Sequence, residues 1–216
     1  MNTTNFLVFD FETTGVGKDK SNGYRPYRDS EKPLPRPNFP VELGMQLCDK
    51  AGNVLKSDRL LIRGALRLDP WVLENCHHLN IKGCERDGIE FTEVLQRMAD
   101  IVGEDDCTLV AHNMEYDWTD VIVYTTKQFN LEGTEPFKKL CNLPRLCTCI
   151  NSFTKKQNGP LRSYFYHKIQ RHIGPSLEKL AKYCNEEYNH DDAHDAMYDV
   201  DLTRKCLTRL IQQSVF

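Results

Sequence analysis

Ten residues near the start of the chain, Phe6-Leu7-Val8-Phe9-Asp10-Phe11-Glu12-Thr13-Thr14-Gly15, combine two properties that rarely share one strand. Four consecutive apolar residues, rich in β-branched and aromatic types and closed by Gly15, read as a buried central strand. A strand of that kind has no ordinary use for two carboxylates. Residues i and i+2 of a strand point to the same face, so Asp10 and Glu12 project side by side. Two anions so placed repel each other and are costly to desolvate, and a bound divalent cation removes both costs. Taken alone, the stretch also fits a strand end whose acids are solvated, with Gly15 opening a turn.

The 216 residues suit one domain with a sizeable core, and no internal repeat or second domain is evident. A formal net charge of -3 excludes a generally basic nucleic-acid coat. A polyanion would have to be held by local patches or by metal ions. Nine cysteines, an odd number at irregular spacings, imply free thiols and a reducing compartment. Met1–Asn5 lacks the basic segment of a signal peptide and no apolar run is long enough for a membrane span, so an intracellular protein (cytoplasm or nucleus) is expected.

Residues 16–40 form a polar insertion with Pro26, Pro33, Pro35, Pro37 and Pro40, which exclude helix or central strand. Lys18, Lys20, Arg25, Arg28, Lys32 and Arg36 outnumber Asp19, Asp29 and Glu31, and Tyr24 and Tyr27 lie among them. This is either a solvated loop or a basic flap over a substrate. Val41–Cys48 alternates as a strand, 49–53 is a turn, and Val54–Ile62 completes a hairpin. Residues 64–88 read as irregular, with a short helix possible at Trp71–Glu74. Phe91, Val94, Leu95, Met98 and Val102 recur at helical spacing. Cys107–Ala111 is a strand, a helix follows to Phe129, and Leu143–Ile150 is the last expected strand. Residues 151–174 hold Lys155, Lys156, Arg162, Lys168 and Arg171, no acid, and the aromatics Phe153, Tyr164, Phe165 and Tyr166. Pro175–Ala181 starts a helix, and a final one carries Val200, Leu202, Cys206, Leu207 and Leu210.

This is an α/β order with a mixed sheet. Along it, acids stand at Asp10/Glu12, Asp117 and Asp199, with His194 five residues before Asp199. The run Asp10–Gly15, the run His112-Asn113-Met114-Glu115-Tyr116-Asp117 and the run His194-Asp195-Ala196-Met197-Tyr198-Asp199-Val200 together resemble the three motifs of the DEDDh 3′–5′ exonucleases. The third is especially similar to bacterial exonuclease I. His190 and Asp195 also stand five apart; His194/Asp199 is preferred because Ala196 follows and the apolar helix pattern is under way at Asp199. Five residues on a helix is about 500°, so the two side chains could not face one site from mid-helix. His194 is therefore expected at or before the helix start.

The resemblance implies an RNase H-like mixed β-sheet of about five strands flanked by helices. It also implies a 3′–5′ exonuclease acting on single-stranded DNA or RNA and releasing 5′-mononucleotides. Asp10, Glu12, Asp117 and Asp199 would hold two Mg²⁺ or Mn²⁺ ions, with Asp10 bridging, and His194 would be the general base. Thr13, Thr14, Asn113, Lys155, Lys156 and Arg162 are candidate substrate contacts. A zinc site of Cys76, His77, His78 and Cys84 is disfavoured, since no paired Cys-x-x-Cys accompanies them. The rival classes are a DEDDh-fold module that binds without cleaving and an RNase H-like endonuclease.

Overall fold

The computed structural model describes residues 5–15, 39–65, 68, 70–76, 78–104, 106–149 and 175–213. The insertion at 16–40 (apart from Phe39 and Pro40), His77, and the basic stretch at 151–174 lie outside the described residues.

The apolar run with its two acids is β1, Asn5–Thr13, at the centre of a five-stranded sheet. The expected hairpin is β2, Pro40–Asp49, and β3, Val54–Leu61. Asp49 builds its turn, accepting the Ala51 and Asn53 N–H groups, while Gly52 takes a φ of +86°. On the other side of β1 lie β4, Cys107–Ala111, and the short β5, Arg145–Cys147, both parallel to it. The order β3-β2-β1-β4-β5, antiparallel in its first three strands, is an α/β mixed sheet of RNase H-like form.

The helices are α1, Pro70–Asn75; α2, Ile81–Asp87; and α3, Phe91–Val102. A π-helical segment, Glu115–Val123, continues into α4, Tyr124–Gln128, followed by α5, Glu135–Asn142. Then come α6, Leu177–Cys184, and α7, Ala196–Gln212. None of them is long and apolar enough to cross a membrane. None of the nine cysteines is held in a disulfide among the described residues.

Two covered faces explain why β2 is buried along nearly its whole length rather than alternating with solvent. On one face Leu7, Phe9 and Phe11 of β1 pack with Leu43 and Met45 of β2 and with Val94, Leu95 and Met98 of α3. On the other, Val8, Cys48 and Val110 pack with Val200 and Leu207 of α7. Asp10 and Glu12 continue the phase of Val8, so they leave β1 toward α7.

Three expectations need correction. Residues 64–88 are not irregular throughout: α2 follows α1, started by Asn80, whose side chain accepts the Gly83 N–H. Its one buried residue, Cys84, leaves no apolar period to read. Helix α5 was not foreseen, although Pro136 in its first turn and Phe137 and Leu140 three apart are its signals. The last strand is three residues long rather than eight: its paired register with β4 covers 145–147, with one further hydrogen bond to β4 at each of the Pro144 carbonyl and the Thr148 N–H.

Helix α7 crosses β2 where the sheet has no side chain. A Cβ at Gly44 would lie 2.6 Å from the Ala196 carbonyl carbon and 2.9 Å from the Met197 nitrogen. Gly44→Ala should therefore destabilise the fold by about 1–3 kcal/mol through overpacking. Gly133→Ala, whose added carbon meets nothing within 4 Å, is the control. Urea unfolding of the two variants checks this; equal stability would refute the close approach.

Candidate active site

Three elements deliver the four acids to the end of β1. Asp10 and Glu12 come from β1 itself. Asp117 sits in the first turn of the π-helical segment behind β4, 2% exposed, and accepts the Phe11 N–H at 3.2 Å. That bond ties the second acidic motif to the first across 106 residues of chain. Asp199 lies in the first turn of α7. One of its oxygens, Oδ1, is buried and has no hydrogen-bond partner among the described residues.

His194 precedes α7, as the helical geometry requires. Its backbone takes φ +65°, a left-handed conformation uncommon for a residue with a side chain. The turn so made lets the His194 N–H bond the Asp199 carboxylate. Glu12, His194 and Asp199 each place one ligand atom within 4.8 Å of the others. The His194 ring lies edge-on to Trp71 of α1, centroids 5.0 Å apart. Burial lowers its pKa below the ordinary imidazole value.

The acids are protonated far above their usual range. Burial raises Asp117 to about 8 and Asp199 to about 7. Asp10 and Glu12 are also raised well above the ordinary value, first by burial and then by the surrounding carboxylates. Such a cluster lacks positive charge. Oxygen donors with one imidazole, and a buried carboxylate oxygen without a partner, fit a divalent cation.

Two further acids stand in the same place and are already satisfied. Glu42 is opposite Glu12 in the β1–β2 register and fully buried. It accepts Arg59 Nε at 2.5 Å and faces His78 Nε2 at 2.9 Å. Asp195 caps α7, its Oδ1 accepting the Met197 and Tyr198 N–H groups, and its Oδ2 is 2.9 Å from Arg59 Nη2. His190 is exposed, 3.9 Å from Glu178, against the Tyr188 ring. The competing pair His190/Asp195 is thus not assembled, whereas His194 and Asp199 are brought together.

The remaining candidates divide. The Thr13 hydroxyl is 2.6 Å from the Gly15 carbonyl and 2.7 Å from the Tyr116 hydroxyl. The Thr14 hydroxyl accepts the Phe39 N–H. Both threonines are buried and serve the chain's own turn. Asn113 is exposed just beyond β4 with φ +79°. Lys155, Lys156 and Arg162 lie outside the described residues. The cysteines and histidines weighed for zinc disperse: the Cys76 thiol points at Glu12 Oε2, 3.8 Å away, Cys84 at the Val41 carbonyl, and His78 at Glu42. Glu42 was legible as another acid in an apolar strand. Nothing in the sequence marked Arg59 for the site, Trp71 was noted only as part of a possible helix and Cys76 only for zinc; all three reach the site through folding.

No family model and no curated protein matches the sequence. Solved structures do. Exonuclease I from Methylocaldum szegediense matches with a TM-score of 0.63 and 16% identity, over 98% of this chain and 42% of that one. The zinc-bound E. coli exonuclease I–single-stranded DNA complex matches with 0.63 and 17%, over 99% and 42%. A 3′-exonuclease that recognises the histone mRNA stem-loop matches with 0.60 and 12%, over 99% and 84%. The chain shares its fold with these structures. It spans about two fifths of the length of the exonuclease I structures.

Within this exonuclease fold the acids' protonation has a measurable consequence. Unfolded carboxylates titrate near about 4, while folded Asp117 and Asp199 hold their protons to about 8 and 7. As pH rises through that window the unfolded chain loses protons first, so cation-free stability falls. Asp117→Asn should flatten the fall and be more stable than the parent at about pH 8, with little difference at about pH 4. Chemical unfolding in chelator across that range checks the sign; an unchanged slope would refute it.

Proposed function

We propose that the chain is a two-metal-ion-dependent 3′–5′ exonuclease of single-stranded DNA or RNA. The observation that carries the reading is the convergence of Glu12, His194 and Asp199 beside Asp10 and Asp117, all short of positive charge. Asp10, Glu12, Asp117 and Asp199 would hold Mg²⁺ or Mn²⁺, which suit oxygen donors. Bound divalent ions supply charge stabilisation for the phosphoryl and leaving oxygens and lower the pKa of water.

His194 would accept the proton of the attacking water. Burial favours its neutral form, the form that can take a proton at neutral pH. The water oxygen bonds to the terminal phosphorus as the bond to the preceding O3′ breaks. The freed O3′ gains a proton and a 5′-mononucleotide leaves. Single-stranded DNA in one structure of this fold, and RNA stem-loop recognition by another, support a nucleic-acid 3′ end as the substrate. A non-cleaving module would have no physical need to keep Asp10 among the three other acids, which all raise its pKa.

The test is hydrolysis of 3′-labelled and 5′-labelled single strands with Mg²⁺. Asp10→Ala and Asp199→Ala should abolish turnover and leave the fold intact. His194→Ala should lose about 10²–10⁴-fold, and His190→Ala far less. Retained turnover in Asp10→Ala, or the opposite ranking of the two histidines, would overturn the assignment.

The cations of 151–174 are proposed to grip the strand upstream of its 3′ end, since the net charge of -3 supplies no general attraction. Neutralising Lys155 and Lys156 should weaken single-strand binding and flatten its salt dependence, with single-turnover cleavage at saturation unchanged. An unaltered salt slope would count against that role.

A further inference from the structure

Among the described residues six carboxylates meet at the end of β1, and four of them have no basic side chain as partner. Glu42 lies directly opposite Glu12 and is as deeply buried as any ligand candidate. Asp195 is one residue from His194 and four from Asp199. Either could compete for a bound cation. Both are bound instead by one guanidinium: Arg59, on β3 opposite Gly44, gives Nε to Glu42 at 2.5 Å and Nη2 to Asp195 at 2.9 Å. The second oxygen of Glu42 faces His78.

The same fork has a mechanical effect. Asp195 is the cap of α7, and its backbone carbonyl accepts the Asp199 N–H at 3.0 Å. By gripping the cap, Arg59 fixes the start of α7 over the side-chain gap at Gly44. The turn that carries both His194 and Asp199 is thereby held against β2. A lysine could not do this: its ammonium is a point charge, whereas the planar fork engages two carboxylates in fixed directions.

We infer that Arg59 is a positioning residue of the divalent-ion site. It withholds Glu42 and Asp195 from the cation and sets Asp199 at its distance from Glu12. This rests on the reading of Asp10, Glu12, Asp117 and Asp199 as that site. Partners behind metal ligands, when mutated, cost about 10–100-fold in metal affinity or activity.

The experiment measures Mn²⁺ affinity by electron paramagnetic resonance, alongside kcat and KM for a labelled single strand, with thermal unfolding as the fold check. Arg59→Lys should weaken Mn²⁺ binding by about 10–100-fold. It should lower kcat at limiting Mn²⁺ with strand KM unchanged, and raising Mn²⁺ should restore part of the loss. Asp195→Asn should show a loss no greater than that of Arg59→Lys, and the double variant no more than Arg59→Lys alone, because Arg59→Lys already breaks the contact to Asp195. Should Arg59→Lys fail to fold, Glu42→Gln with Arg59→Gln removes the pair together and leaves no fully buried unpaired charge, Asp195 being partly exposed; the same loss of Mn²⁺ affinity is expected. Wild-type Mn²⁺ affinity in a folded Arg59 variant, or losses that multiply in the double variant, would overturn the inference. A parent protein that binds Mn²⁺ without cleaving any strand would defeat the nuclease reading alone, and the affinities would still decide the role of Arg59.

Discussion

Like charges crowded at the end of a buried strand set the terms for the rest of this molecule. Asp10 and Glu12 leave β1 toward α7, Asp117 arrives from behind β4, and Asp199 comes from α7 itself. Each is pushed toward its protonated form, Asp10 by burial and then by three of the other acids. Left free, the elements carrying them would separate until solvent screened the charges. They stay because each is anchored by apolar burial outside the site. Leu7, Phe9 and Phe11 fix β1 from the opposite face, Val121 and Ile122 fix the π-helical segment, and Val200 and Leu207 fix α7. Each fully buried side chain of this size contributes about 1.5–3 kcal/mol, so together they outweigh the repulsion.

Position matters as much as strength, and it is set by small features. The Phe11 N–H holds Asp117 beside β1. The absence of a side chain at Gly44 lets the α7 backbone come close enough to bring Asp199 over the sheet. The left-handed turn at His194 folds its own N–H back onto Asp199. Behind β4, the His112 ring joins Thr148 beyond β5 to the Pro175 carbonyl before α6. Burial lowers its pKa to about 4, so it is neutral, with Nε2 donating to that carbonyl and Nδ1 accepting from the threonine.

Much of this could be read along the chain, for reasons specific to each element. β1 was legible because an apolar run ending in alternating acids has few alternatives. Helix α3 was legible because seven of its twelve residues are buried at helical spacing. The start of α7 followed from geometry alone, since His194 and Asp199 could share a site only if the histidine preceded the helix. Helices α2 and α5 escaped because they bury one and two residues, too few for a period. Thr13 and Thr14 looked like substrate contacts in a motif, but their hydroxyls are used in the turn at Gly15 and Phe39.

The succession of strands and helices along the chain and the positions of the candidate acids were determined by the sequence itself, because both depend on local pattern: phase along a strand, apolar spacing along a helix, and motif order. Which carboxylates remain open was decided only by the tertiary structure. Glu42 and Asp195 are acids of the same kind, in equally plausible places along the chain. What separates them from Glu12 and Asp199 is a guanidinium on β3, brought to both by the β2–β3 register and the crossing of α7. Charge compensation acts through space over a few ångströms, and sequence separation carries no record of it.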